Sequence, residues 1–247
     1  MIQKILADQR PTLDKEKFRI HILYPGRILN RKDSGFFGLG RIDHGFLQPG
    51  VLVPMHPHQD DETLSYIRRG QLSHKDSEGE EKMISAYRLM MMNAGTGIEH
   101  EEHIPSDGKE VEMLQIFLRP EEASLPPLVQ FHTFEKAYDV EGWRLIAGNI
   151  EEAPLSLRSS CRVYDLRLGT ESSIHLPADE NSDTFLLYCF QGSVEINQID
   201  TLEKGESMVI EGEDDLLIDG VETADLILLA FNKEATYFKG GMYSGAR

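Results

Sequence analysis

Apolar residues along this chain fall in short blocks rich in branched and aromatic side chains. Each block is closed by glycine, proline or a polar cluster, so the pattern reads as strands joined by turns. The first twenty residues alternate poorly and carry mixed charge, which predicts a leading arm or edge strand. Gly26, Gly35, Gly38, Gly40 and Gly45 then cut the next stretch into short pieces, as turns between strands do. Gln48-Pro49-Gly50 reads as a turn into a β-rich segment beginning at Val51. Pro54 and Pro57 mark that segment as an edge or irregular strand, because proline has no N–H to give to a ladder. Thr63 to Ile67 suits a strand, Arg69-Gly70 a turn and Gln71 to Lys75 an antiparallel return, with Asp76-Ser77-Glu78-Gly79-Glu80 as the hairpin connection. Tyr87 to Met92 is apolar enough to enter a core, where Met90, Met91 and Met92 are expected to pack and not to ligate a soft metal. In the turn Asn93-Ala94-Gly95-Thr96-Gly97 the glycines would let the backbone approach the centre of a barrel. Val111 to Leu118 is a further strand, stopped by Arg119-Pro120.

After that strand, Glu121 to Pro127 combines polar residues with two adjacent prolines and marks a boundary. Beyond it the chain carries a faint copy of what came before. Thr184-Phe185-Leu186-Leu187-Tyr188-Cys189-Phe190-Gln191-Gly192 lies beside Glu62 to Gly70 with the central tyrosine and closing glycine in place, and Asp225 to Phe231 resembles the strand ending at Leu118. The architecture expected is all-β, two similar barrels in tandem. The boundaries that follow are an N-terminal domain over 1–120, a connection over 121–140 and a C-terminal domain over 141–247.

Length adds that either one large all-β domain or two domains of about 120 residues could bury a real core. The 42 acidic against 25 basic residues, a formal net charge of -17, would repel a phosphate backbone, and no basic patch overrides them, so no direct nucleic-acid partner is expected. Two cysteines, Cys161 and Cys189, resemble neither a disulfide framework nor a zinc knuckle, and Cys189 sits in an apolar strand where an inert buried thiol is expected. With neither a signal-like apolar core at the start nor a membrane-length apolar run, a cytoplasmic protein with no membrane partner is the expectation.

Two short groups carry the candidate chemistry: His56-Pro57-His58 and His100-Glu101-Glu102. Strand positions i and i+2 share a face, so His56 pairs with His58 and His100 with Glu102. Set opposite each other, the pairs offer three imidazoles and one carboxylate to one cation, a donor set that suits Fe, Zn, Ni or Mn. The second half keeps the framework without these ligands. Gly169 precedes His175 as Gly50 precedes His56, but Pro177 stands two positions beyond, and Gly212-Glu213-Asp214-Asp215 has no histidine. A metal is therefore expected only in the first half. Trp143 is expected as a packing anchor.

Taken in order, Gly50, His56-Pro57-His58, Glu62-Thr63, Tyr66, Gly70, His74-Lys75-Asp76-Ser77 and Asn93-Ala94-Gly95-Thr96-Gly97-Ile98-Glu99-His100-Glu101-Glu102 resemble the pirin family of bicupins over most of the chain. The resemblance implies two cupin-type β-barrels, with metal ligands at His56, His58, His100 and Glu102 and a metal-free second cupin. Iron is the usual family metal, so Fe(II) is the cofactor expected, with Ni, Co, Mn and Zn as alternatives. Some relatives are similar to quercetin 2,3-dioxygenases, which implies a small aromatic substrate such as a flavonol, O2 as co-substrate, and Glu102 as either a ligand or a catalytic general base. Others in the family act by protein contacts in transcriptional or metabolic regulation, so a noncatalytic metal-dependent interaction, transcription-cofactor or redox-sensing protein with a protein partner is the alternative implication. Glu62, Tyr66 and His74 are expected as turn, core or hydrogen-bonding residues. The chain departs from the family at Asp60-Asp61, where Gly-Phe is common, at Glu101, where serine is frequent, at Phe117 in place of tryptophan, and at Ala86 to Met90. The added acids are expected to attract cations and to raise a nearby carboxylate by like-charge repulsion.

Overall fold

The computed structural model describes residues 1–177, 182–213 and 215–246. Among them strands dominate, and the helical elements are one short turn, α1 (Pro25–Ile28), and a 3-10 turn at Ala7–Gln9. No helix among them is long and apolar enough to cross a membrane. The chain divides into two compact units, and neither is a single stretch of sequence. One gathers Arg10–Ala137, Leu155–Ser159 and Thr236–Arg247; the other gathers Met1–Gln9, Tyr138–Pro154 and Ser160–Ala235.

The opening strand β1 (Ile2–Ile5) belongs to the second of these units, where it is an edge strand. The first unit contains β2 (Thr12–Lys15), β3 (Phe18–Leu23), β4 (Leu39–Leu47), β5 (Leu52–His58), β6 (Glu62–Arg69), β7 (Gln71–Asp76), β8 (Glu81–Ser85), β9 (Arg88–Asn93), β10 (Ile98–His103), β11 (Val111–Leu118) and β12 (Leu128–Thr133). They make a seven-stranded sheet, β12-β9-β6-β11-β4-β3-β2, and a four-stranded one, β5-β10-β7-β8, with antiparallel pairing throughout. Alternation along each strand sends one set of side chains into a common core. Ile67, Met90, Met92 and Val111 of the large sheet meet Leu72, Ile84 and Ile98 of the small one, and none of these seven is more than 1% exposed. The consecutive methionines are packing residues, as their pattern predicts. The expected hairpin between β7 and β8 also forms.

The second unit repeats the plan with β13 (Arg144–Gly148), β14 (Cys161–Leu168), β15 (Ser173–His175), β16 (Thr184–Gln191), β17 (Ser193–Ile196), β18 (Asp200–Glu203), β19 (Ser207–Glu211), β20 (Leu217–Gly220) and β21 (Ala224–Phe231). Its sheets run β1-β19-β16-β21-β14-β13 and β15-β20-β17-β18. Thus β6 lies between β9 and β11 as β16 lies between β19 and β21, and the small sheets correspond strand for strand. The faint sequence copy is a real duplication. Tyr66 and Tyr188 are both fully buried, and the closing glycines have φ of 76° at Gly70 and 77° at Gly192. A Cβ would stand 2.6 Å from the Glu110 carbonyl oxygen at the first and 2.2 Å from that of Thr223 at the second, so only glycine fits either turn.

One expectation is corrected. Among the described residues the tandem closed barrels of a bicupin are absent, because each of the four sheets is open. In the first unit β12 and β2 end the large sheet, β5 and β8 end the small one, and no ladder joins the two. Two sheets packed face to face bury the same alternate residues as a closed barrel does, so the apolar pattern suits both. The prolines, by contrast, were informative: β5 carries Pro54 and Pro57 and pairs only with β10, as an edge strand. Gly95 does make a close approach, but to the Leu125 carbonyl oxygen, 2.0 Å from where its Cβ would be.

Candidate metal centre

Strands β5 and β10 lie side by side with His56 opposite His100. Alternation puts His56 and His58 on one face, and the register brings the third ring to them. His58 Nε2 lies 3.2 Å from His56 Nε2 and 3.0 Å from His100 Nε2. Ligand atoms of the three all fall within 4.8 Å of one another. His58 and His100 are buried, and His56 is half-buried. Burial holds His58 down to about 3, with His56, Arg41 and His74 adding to the effect. Burial likewise holds His100 down to about 2, with His58, His56 and His74 adding. Both rings are therefore neutral at neutral pH, which is the form that ligates a metal.

The outer nitrogens decide which inner ones carry lone pairs. His56 Nδ1 is 2.9 Å from the Pro54 carbonyl oxygen, so it donates there and leaves Nε2 free. His100 Nδ1 is 3.3 Å from His74 Nδ1, and His74 Nε2 is 2.6 Å from Asp76 Oδ2. His58 Nδ1 is buried without a hydrogen-bond partner, and the nearest acid, Asp61 Oδ2, is 3.8 Å away. Three converging imidazole Nε2 atoms fit a divalent transition metal.

Glu102 stands outside that group. Along β10 the alternation holds, with His100 and Glu102 both on the buried face and opposite Asp76 and His74 of β7, while an extra residue in β5 sets Glu102 opposite Val53 instead of Pro54. It is 3% exposed, and Gln115 Nε2 donates to its Oε1 at 2.9 Å. Burial pushes its carboxyl up to about 7, and the Gln115 bond works against that rise. The cause is desolvation, not the like-charge repulsion expected from the extra acids. Glu102 and His56 both line a cavity of about 40 Å³, with apolar walls that include Phe18, Leu47, Val53 and Met113.

Behind His58 lies an aromatic wall that no local pattern announced. The Phe117 ring is parallel to His58 at 6.1 Å between centroids, and the Tyr243 ring lies 4.6 Å from His58. The Arg41 guanidinium covers Phe117 at 4.5 Å and Tyr243 at 5.1 Å. Tyr243 is held by Asp61, whose two oxygens accept its N–H at 3.0 and 2.9 Å while Oδ1 also accepts Ser244 N–H at 2.7 Å. Asp60 Oδ1 accepts the N–H of Ser124 at 2.6 Å. Both acids that set this chain apart are thus committed to backbone donors.

Of the lesser candidates, Glu62 accepts from Asn93 Nδ2 at 2.5 Å and from Arg158 N–H at 2.8 Å, pinning the 155–159 segment. Tyr66 is a core residue under the Arg68 guanidinium. His74 alone reaches the metal group. Its face was readable, since His74 and Asp76 stand two apart on one strand as His56 and His58 do. Gln115 had no such signal. In the second unit His175 is exposed and paired with Asp215 at 2.8 Å, and Trp143 donates its Nε1–H to the His175 carbonyl oxygen. Asp214 of the acidic run lies outside the described residues. Burial pushes the Cys189 thiol up to about 12, aided by Glu206 and Asp225, and leaves it unreactive.

The sequence matches the Pirin family over residues 32–118 and a quercetinase C-terminal cupin domain over residues 145–231. It is 30% identical over 167 residues to a quercetin 2,3-dioxygenase of Escherichia coli (strain K12), covering 67% of this chain and 70% of that protein. In fold it is similar to YhhW from Escherichia coli, with a TM-score of 0.83 at 23% identity over 94% of this chain and 97% of that one. The structure of YhhW in complex with nickel(II) gives a TM-score of 0.82 at 22% identity, covering 94% and 99%.

Proposed function

The chain belongs to the pirin family, and on that premise we propose that it is a metal-dependent dioxygenase of the quercetinase kind, opening the ring of a flavonol or related aromatic enol with O2. The observation that carries this reading is the convergence of three imidazoles beside an apolar-walled cavity that also holds a carboxyl pushed up to about 7. His56, His58 and His100 would hold the metal, and Glu102, which lines the same cavity as His56, would serve either as a fourth donor or as the base. Fe(II) is the ion we assign, since three imidazoles and a carboxylate suit it; nickel, cobalt, manganese and zinc share the preference for such donors. When bound, the ion supplies Lewis acidity and reactivity towards oxygen.

The chain's own residues do the rest. Gln115 holds Glu102 Oε1, which leaves Oε2 to take the proton of a substrate hydroxyl. With its carboxyl at about 7, Glu102 can both accept and release that proton near neutral pH. The apolar walls keep water from the reacting carbons. A cavity of about 40 Å³ has room for little more than a water molecule, so a flavonol enters by turning wall side chains aside.

The test is to load apo-protein anaerobically with Fe(II), Ni(II), Co(II) or Mn(II) and to follow quercetin absorbance and oxygen uptake when O2 is admitted. Turnover with at least one ion, much slowed in His56→Ala, is the expected result. No quercetin consumed with any ion would sink the flavonol assignment.

A further inference from the structure

The motif His74-Lys75-Asp76 takes no part in the function proposed so far, yet it sits on β7, directly beside β10, with Asp76 opposite His100 in the ladder. His74 is fully buried, and Asp76 is 6% exposed. The Asp76 carboxylate is held from two sides. Its Oδ1 accepts the N–H groups of Glu78 at 2.9 Å and Glu80 at 3.0 Å, and its Oδ2 lies 2.6 Å from His74 Nε2. Two backbone donors therefore fix which oxygen faces the turn, and the other accepts the His74 Nε2–H.

A neutral imidazole protonated on Nε2 has a lone pair on Nδ1. In His74 that lone pair faces His100 Nδ1 at 3.3 Å, so His100 must carry its proton on Nδ1. Its Nε2, 3.0 Å from His58 Nε2, is then free. We propose that Asp76 and His74 are positioning residues that lock His100 in the tautomer and ring orientation that present Nε2 to a divalent metal. The proposal rests on the metal-centre reading and is independent of the substrate. Partners of this kind behind a ligating histidine raise metal affinity about 10- to 100-fold.

Asp76 also caps the 76–80 turn, and the experiment separates that job from the relay. Asp76→Asn keeps the cap, because turning its amide the other way would set an NH2 against two N–H donors. Its NH2 then donates to His74 Nε2, which moves the His74 proton to Nδ1 and drives that of His100 onto the metal-facing nitrogen. Asp76→Ala loses the cap and leaves His74 free to choose. Co(II) binding to the full-length apo-protein is measured by competition with a chelating dye and by the d–d absorption of the bound ion, with urea unfolding of each apo-protein alongside. The relay predicts a Co(II) affinity about 10- to 100-fold lower in Asp76→Asn, Asp76→Ala in between, and a changed d–d band.

A capping role alone predicts equal Co(II) affinity in all three proteins, with apo stability lowest in Asp76→Ala; that result overturns the proposal. Should Asp76→Asn not fold, a second pair decides. His74→Asn places an acceptor oxygen near where Nδ1 stood and should keep most of the affinity, whereas His74→Leu, of similar size with no acceptor, should lose it. Equal binding by those two overturns the proposal as well. Wild-type protein that binds no Co(II) overturns the metal-centre reading, and the relay with it.

Discussion

Replacing Asp61 with alanine should free the chain around Tyr243 and Ser244 from the strands of its own unit that carry the histidines. Asp61 is fully buried, and the N–H groups of Tyr243 and Ser244 both end on its carboxylate. Orphaning a buried donor costs about 1–3 kcal/mol, so two donors give about 2–6 kcal/mol. Two effects reduce that figure. Burial raises the Asp61 carboxyl above its ordinary value against the pull of those same N–H groups, so removing it relieves a desolvation penalty. The released N–H groups also regain water when the segment opens. A net loss of about 2–4 kcal/mol remains. Arg119 Nε still donates to the Ser244 carbonyl oxygen at 2.7 Å, so the opening should be local and not a general unfolding. Hydrogen exchange of the Tyr243 and Ser244 amides should then quicken by roughly 30- to 1000-fold, at about 1.4 kcal/mol per factor of ten. Asp61→Asn, which keeps one acceptor oxygen, should lie between. Unchanged exchange at both amides in Asp61→Ala, with an unchanged urea midpoint, would refute the claim that this carboxylate holds the Tyr243 ring against His58.

Gly95→Ala should cost about 3 kcal/mol or more in urea unfolding, because φ is +49° and the new Cβ would lie 2.0 Å from the Leu125 carbonyl oxygen. Gly79→Ala, at φ +94° with nothing within 4 Å of its Cβ, should cost only about 1 kcal/mol, and equal losses at the two sites would count against the steric argument. In acid, Asp33 should contribute a defined slope. Burial would raise its carboxyl, but hydrogen bonds from Arg119 and Gly35 and the charge of Arg119 outweigh that and hold it at about 2, below its ordinary 3.8. A carboxyl depressed by folding stabilises above its unfolded value and loses that stabilisation as pH falls through the folded one. Solvent screening at this half-buried carboxylate discounts the full shift, so the difference in urea stability between wild type and Asp33→Asn should shrink by about 1 kcal/mol between pH 5 and pH 2; a gap independent of pH would contradict it.

Much of the site was readable in the chain because its signals are local. Two-residue alternation put His56 and His58 on one face whatever the sheet around them did, and proline chemistry made β5 an edge. The duplication was visible because Tyr66 and Gly70, like Tyr188 and Gly192, meet the same core and the same tight turn in each unit. The pairing of His74 with Asp76 was latent in the same alternation, but its purpose needed the register of β7 against β10.

Where the answer depended on what a strand or carboxylate meets across the fold, sequence was not enough. An extra residue in β5 slides Glu102 from Pro54 to Val53 across the ladder while β10 keeps its alternation, and such a bulge reflects the fit of three strands at once. Asp61 looked like added negative charge near a cation, whereas its partners are backbone N–H groups about 180 residues further along the chain. Sheets that stay open and sheets that close bury the same alternate residues, so the apolar pattern suits either. By itself the sequence determined the strands, the duplication and the three histidines, because each follows from neighbours within a few residues. The open sheets, the place of Glu102 and the Tyr243 wall were decided only in the folded chain, where segments remote in sequence compete for the same donors, edges and space.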